Sequence, residues 1–214
     1  MVVKIIIVNS PYRTTLGFGG EMTRSGKHSG KRQQLRIIGG QWRGRKLAFT
    51  PTDGLRPTGD RIRETLFNWL APTIQGARCV DLFTGSGALG LEALSRGAVH
   101  CDFVDSSKAT LSQVSDHLKT LAAADRGRCH TMSAQQFLAI TAQAYDIAFV
   151  DPPFMQQLVE PICEALAKRP LLSKGALVYI ETAAMDSPPE VPLHWKVHRE
   201  KVAGGVAYRL FNLG

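Results

Sequence analysis

Between residues 60 and 212, apolar positions switch repeatedly between helical and strand-like spacing. Ile62, Leu66, Trp69 and Leu70 recur at helical intervals after Asp60 and Pro72 ends the pattern, which predicts a helix with Arg61, Arg63 and Glu64 on its polar face. After Gln75-Gly76, short apolar and β-branched runs predict strands at 78–83, 101–104, 128–132, 145–150 and 176–181. The intervals between them predict helices at 88–96, 108–121, 134–141 and about 160–168, with Leu111, Val114, Leu118 and Leu121 facing inward in the second. Pro161 fits only the first turn of the last helix. Beyond the Ser187-Pro188-Pro189 loop, 194–202 and 206–212 flank Gly204-Gly205 as a hairpin. Alternating strands and helices closed by a hairpin predict an α/β fold: a Rossmann-like, doubly wound, mostly parallel sheet with an antiparallel C-terminal edge.

Upstream, Leu35-Arg-Ile-Ile-Gly-Gly-Gln-Trp-Arg-Gly-Arg-Lys-Leu47 alternates apolar and basic residues around Gly39-Gly40. It predicts a small β-hairpin with Arg36, Arg43, Arg45 and Lys46 along one side. The expected division is a basic extension without fixed structure over 1–34, a hairpin arm over 35–55 and the main domain over 56–214. Asp53-Gly54 is expected to turn, and Arg56 to be extended before Pro57. A chain of 214 residues, 44% hydrophobic and 21% charged, is long enough for one well-buried domain with such an appendage.

Charge sharpens this picture once it is located. The net charge is +8, yet residues 1–47 hold ten Lys and Arg side chains and one acid, Glu21; the remaining residues hold 16 basic and 17 acidic side chains. The excess therefore belongs to the N-terminal part, which points to nucleic acid or an anionic membrane. No amphipathic basic helix is present and no run reaches transmembrane length, so RNA or DNA is favoured and no membrane partner is expected. Val2–Val8 is interrupted before a signal peptide could form, and a cytoplasmic location is expected. Cys79, Cys101, Cys129 and Cys163 lack metal-ligand spacing and read as core thiols; no metal site is expected.

The first strand ends in Asp81-Leu-Phe-Thr-Gly85-Ser-Gly87-Ala-Leu-Gly90, which fits GxGxxG, and Asp105 ends the next strand twenty positions after Gly85. Alone, that pattern could mark a dinucleotide site. Asp81 argues otherwise, because a carboxylate beside the glycines repels a pyrophosphate. It suits a ligand with an ammonium group and no phosphate, such as S-adenosylmethionine. Its methionine end would meet Asp81 and the glycines, its ribose Asp105, and its adenine Ser133-Ala134. Farther along, Asp151-Pro152-Pro153-Phe154 follows a buried strand. Two prolines stiffen the backbone there. A carboxylate, a proline carbonyl and an aromatic face are then held at a strand's C-terminal end, where α/β folds bind ligands. An exocyclic amine on a planar base needs two acceptors and a stacking ring.

These motifs, in this order, resemble a class I S-adenosylmethionine-dependent methyltransferase acting on an exocyclic amine. Arg56-Pro-Thr-Gly-Asp-Arg-Ile-Arg-Glu-Thr-Leu-Phe-Asn-Trp-Leu70, the segment 36–47 before it and Arg199-Glu-Lys-Val-Ala-Gly-Gly-Val-Ala-Tyr-Arg-Leu210 are similar to the RsmD family, bacterial 16S ribosomal RNA guanine-N2 methyltransferases. The similarity runs from about Leu35 to the final strand. Thr84, where the family often has alanine, and Ser-Ser-Lys after Asp105 are departures. The resemblance implies methylation of the exocyclic N2 of guanine 966 in 16S ribosomal RNA within a small-subunit particle. It implies Asp151, Pro152 and Phe154 as the catalytic group. The cofactor set becomes Asp81, Phe83, Gly85, Gly87, Asp105, Ser106, Ser133, Ala134 and Thr58, and the RNA contacts Arg36, Arg43, Arg45, Lys46, Arg61 and Arg63.

Direct transfer then needs alignment and charge stabilisation, without metal or covalent intermediate. A stacked base cannot enter such a pocket, so an unstacked or looped target is expected. The alternatives are a DNA adenine-N6 methyltransferase, a protein-glutamine methyltransferase and a non-catalytic RNA-binding assembly protein. DNA enzymes usually insert a recognition domain, and glutamine enzymes usually open the tetrapeptide with Asn. The similarity begins after Met22, and Val2–Val8 is an apolar strand-like run with no pattern to pair it, so translation is expected to start at Met22.

Overall fold

A computed structural model describes residues 33–50 and 59–213. The N-terminal extension, the start at Met22, the Asp53-Gly54 turn and Thr58 lie outside the described residues. The chain runs β1 (Gln33–Arg36), β2 (Lys46–Phe49), α1 (Asp60–Leu70), β3 (Arg78–Asp81), α2 (Ala88–Ser95), β4 (His100–Asp105) and α3 (Lys108–Thr120). It continues through β5 (Gly127–Thr131), α4 (Ala134–Ile140), β6 (Tyr145–Val150), α5 (Val159–Lys168), β7 (Leu172–Ala183), β8 (Trp195–Ala203) and β9 (Val206–Leu213).

Seven strands form one sheet in the order β5-β4-β3-β6-β7-β9-β8. All neighbours from β5 to β7 are parallel; β9 is antiparallel to both β7 and β8. This is the Rossmann-like fold of class I methyltransferases, with the antiparallel edge that the sequence predicts. Successive residues of β6 serve opposite layers: Ile147 and Phe149 join the apolar cluster under α1, α2 and α3, while Ala148 and Val150 join the one under α4 and α5. The C-terminal hairpin turns on Gly204 (φ 60°) and Gly205 (φ 80°), a pair of left-handed positions that suits a two-residue turn. β7 begins at Leu172, earlier than the apolar run suggests. Gly175 interrupts that run, and the sheet passes it as a register shift opposite Tyr145 and Ile147.

The chain doubles back at β3. From there it builds β4 and β5 on one side, then returns to place β6 and β7 on the other, so a crevice opens between the C-terminal ends of β3 and β6.

The N-terminal hairpin is packed into the main core. Leu35, Ile37, Trp42, Leu47 and Phe49 are buried in the cluster that also holds α1, α2 and α3. Residues 37–45 join β1 to β2 through a short 3-10 turn at Gly40–Trp42, in place of a tight Gly-Gly turn. Gly40 has φ 75°, and a Cβ there would strike the Ser95 carbonyl at the end of α2. The fully buried Glu92 of α2 fastens this loop. Its carboxylate accepts the N–H groups of Ile38 and Gly39, both at 2.8 Å, and Arg96 Nε at 2.8 Å.

Arg63 corrects the reading of α1. The sequence pattern puts it on the polar face and among the RNA contacts, yet it is 1% exposed and ion-paired to Asp60 at 2.6 Å and Glu92 at 3.6 Å. It also donates to the Arg36 carbonyl at 3.0 Å. Positions 63, 66, 67 and 70 form one inward stripe, and a charged member of that stripe is invisible to a pattern built on apolar residues alone.

Removing the Glu92 carboxylate leaves two arginines and two backbone donors short of an acceptor. Glu92→Ala is expected to lower stability by about 3–5 kcal/mol in urea unfolding, with faster amide exchange in β1 and β2. A loss below about 1 kcal/mol would contradict this role.

Candidate active site

A cavity of about 1530 Å³ lies over the C-terminal ends of β3 to β7. Asp81 lines it from the end of β3, Phe83 and Gly85 from the loop that follows, Asp105 and Ser106 from the end of β4, and Ser133 and Ala134 from the start of α4. Asp151, Pro152 and Phe154 enter from the loop after β6, and Arg61 from the first turn of α1. These predicted site residues therefore meet in one space. Gly87 stands just behind it, capping α2 at φ 79°.

Asp81 ends β3 and is 2% exposed. Its Oδ2 accepts the N–H of Gly90 in the first turn of α2 at 3.1 Å. Gly90 itself allows α2 to press on the sheet, since a Cβ there would meet Phe103 and Cys101. Burial pushes the Asp81 carboxyl up to about 7, and the nearby Asp151 and Asp105 charges add to the rise; the N–H groups of Gly90 and Phe83 oppose it. A buried carboxylate facing a cavity beside two more acids fits a cationic group. Thr84 donates its hydroxyl to the Asp81 carbonyl at 3.0 Å and so supports the strand end.

Asp105 holds the glycine loop in place. Its Oδ2 accepts Gly85 N–H at 3.0 Å and its Oδ1 accepts Ser107 N–H at 2.8 Å. Each oxygen keeps a lone pair, so vicinal hydroxyls can still donate to it. Ser133 closes the third loop with a capping box, accepting Gln136 N–H at 3.2 Å while Gln136 Oε1 accepts the Ser133 N–H at 3.0 Å. This set of groups, a buried acid for an ammonium, a second acid for a diol and a third wall of Met132 and Ala134 beside Ser133, fits S-adenosylmethionine.

Past β6, Pro152 is buried and Phe154 opens a short 3-10 turn at 42% exposure. It is the one aromatic among the large apolar side chains exposed in the described residues, and it borders the cavity. Two features escaped the sequence reading. Glu181, 3% exposed at the C-terminal half of β7, lines the cavity and accepts the Tyr179 hydroxyl at 2.8 Å. The β8–β9 turn, from Ala203 to Val206, also reaches the cavity wall. An acid ending the run Leu-Val-Tyr-Ile-Glu was the available signal for Glu181. Nothing local marks the turn as part of the site.

The loop end of the N-terminal hairpin, with Arg43 and Arg45, lies elsewhere. Arg45 Nη2 donates to the Thr120 carbonyl at the C-terminal end of α3, at 3.4 Å, and the loop bearing Arg43 packs on Ser95 at the end of α2. Those helix ends point away from the cavity, which collects the strands' C-terminal ends. Arg36 is ion-paired to Asp60 at 3.0 Å, and Lys46 is exposed opposite Arg36 on β2. The four cysteines are free, and burial pushes the thiols of Cys129 and Cys163 up to about 11 and about 12. Among the described residues no cluster of His, Cys, Asp and Glu is arranged to hold a metal, and no helix is long and apolar enough to cross a membrane.

A family model described as conserved hypothetical protein 95 matches residues 35–212. The chain is also 50% identical over 184 residues to ribosomal RNA small subunit methyltransferase D of Escherichia coli strain K12, covering 86% of this chain and 92% of that one. The chain belongs to the RsmD family. The Haemophilus influenzae member, with the same name, is 42% identical over 181 residues, covering 83% and 93% of the two chains. The solved Escherichia coli protein yhhF superposes with a TM-score of 0.76 at 50% identity, covering 85% of this chain and 98% of that one. RsmD-family membership thus spans the hairpin, the cavity and the final strand together.

In the protein free of ligand, burial of the Asp81 carboxyl makes stability depend on pH. That carboxyl lies near 3.8 when unperturbed, so its contribution to stability is fully present below that pH and is lost as pH rises through about 7. Asp81→Asn removes this slope and is expected to gain up to about 4 kcal/mol on the wild type between about pH 4 and pH 8 in urea unfolding. Parallel pH profiles for the two proteins would show Asp81 to be solvated.

Proposed function

We propose that this chain methylates an exocyclic amine of ribosomal RNA, and that the amine is N2 of a guanine in 16S RNA presented by a small-subunit particle in the cytoplasm. One observation carries the reading: Asp81 and Asp151 sit at the ends of adjacent strands in a single cavity, with Phe154 exposed at its border. Family membership supports ribosomal RNA as the substrate. S-adenosylmethionine is the cofactor, and when bound it supplies a methyl group already activated on a sulfonium.

The chain's own residues do the rest. Asp81 holds the ammonium, Asp105 with Ser106 the ribose, and Ser133 with Ala134 flank the adenine. Phe154 stacks on the target base and fixes its plane. The Asp151 carboxylate and the Pro152 carbonyl accept the two N–H bonds of the guanine amine, whose lone pair is otherwise delocalised into the ring. That orientation turns the lone pair toward the methyl group, and Asp151 stabilises the positive charge that develops on nitrogen. Asp151 then takes the proton that the methylated nitrogen must lose. Arg61 at the cavity and Arg36, Arg43, Arg45 and Lys46 on the hairpin contact phosphates; Arg63, being buried, has no part in this.

Mass mapping of 16S RNA from a strain lacking the gene tests the reading. One guanine is expected to lose an N2 methyl group and to regain it when the gene is restored. Unchanged ribosomal RNA, with methylation lost instead from adenine N6 in DNA or from a protein glutamine, would overturn it.

A further inference from the structure

β8 is the outer strand of the sheet, and every residue from Lys196 to Val202 is exposed. Its charges are sorted by face. Lys201 lies opposite Tyr208 and Arg199 opposite Leu210, while Lys196 lies opposite Asn212 and so on the side of Leu177. Residues directly paired across an antiparallel ladder share a face. Tyr208 stacks on Trp69 of α1 at 5.4 Å, and Leu210 and Leu177 belong to the cluster under α1. All three cations therefore stand on the α1 side of the sheet. The one acid of the strand, Glu200, lies opposite Arg209 on the other face and is ion-paired to it at 2.7 Å.

This single-signed row spans about 17 Å at a strand's rise per residue and runs directly into the Ala203–Val206 turn that walls the cavity. Arg61, on the same side, lines that cavity from α1. We propose that Lys196, Arg199 and Lys201 form a docking surface for the phosphate backbone of the substrate RNA, leading the target nucleotide past the β8–β9 turn to Phe154. It rests on the RNA-methylating reading above and adds a surface next to the chemistry, whereas the N-terminal hairpin loop sits at the opposite ends of α2 and α3.

Charged residues on an outer strand can also serve simply to prevent sheets from pairing edge to edge. Sign separates the two roles, because glutamates protect an edge as well as lysines do but repel phosphate. The test compares wild type with a Lys196→Glu, Arg199→Glu, Lys201→Glu triple variant and a second variant carrying Gln at the same positions. The probe is small-subunit particles, and separately 16S RNA, from a strain lacking the enzyme. Calorimetry with S-adenosylmethionine reports whether the cavity is intact and is expected to match wild type in both variants. RNA affinity is expected to fall at least tenfold in the Glu variant and less in the Gln variant. Replacing three phosphate contacts by Gln should reduce the slope of log affinity against log salt by roughly 2. Wild-type RNA affinity and salt slope in the Glu variant would overturn the docking surface and leave the proposed function standing. Failure of the wild-type protein to bind either probe would overturn both.

Discussion

Asp81 is a carboxylate closed off from water at the end of β3, and its burial must be offset by something that the surrounding fold only partly supplies. The first turn of α2 donates Gly90 N–H, yet burial still pushes the carboxyl up to about 7, and two further acids facing the same space add to the rise. Burial of Asp81, with Asp105 and Asp151 facing the same cavity, lowers stability once Asp81 is ionised, and a cationic group placed there would offset that loss. The glycine loop, the close seat of α2 on the sheet and the reversal of strand order beside β3 all serve to hold that arrangement.

Glu92 shows the opposite outcome of burying an acid. It is just as inaccessible, but two backbone N–H groups and Arg96 satisfy it, with Arg63 at 3.6 Å. Its function is to join hairpin, α1 and α2 into one body, which places Arg61 at the cavity. One buried carboxylate is satisfied from within and fixes the structure. The other faces the cavity with its carboxyl pushed up to about 7.

Much of this was legible in the sequence because the sheet is buried on both faces and its helices are amphipathic, so period and punctuation coincide with elements. Tyr145–Val150 is found at its predicted limits for that reason. The three aspartates were readable as acids at strand ends. Arg63 was not, since a long cationic side chain can occupy an inward position when two acids await it, and those acids come from different turns and helices. The loop between β1 and β2 was hidden by its dependence on Ser95 and Glu92, more than fifty positions away. Glu181 and the β8–β9 turn join the cavity only through strand order, which places β7 beside β6 and β9 beside β7. No local pattern encodes that adjacency.

In the proposed reaction two carboxylates divide the labour, Asp81 holding the cofactor and Asp151 the amine. Calorimetry with S-adenosylmethionine, combined with single-turnover methyl transfer to small-subunit particles, measures both halves at once. Asp81→Ala is expected to lose most cofactor affinity. Asp151→Ala is expected to bind the cofactor about as tightly as wild type while transferring no methyl group. An Asp151→Ala enzyme that transfers at the wild-type rate, or an Asp81→Ala enzyme with undiminished cofactor affinity, would contradict this assignment of roles.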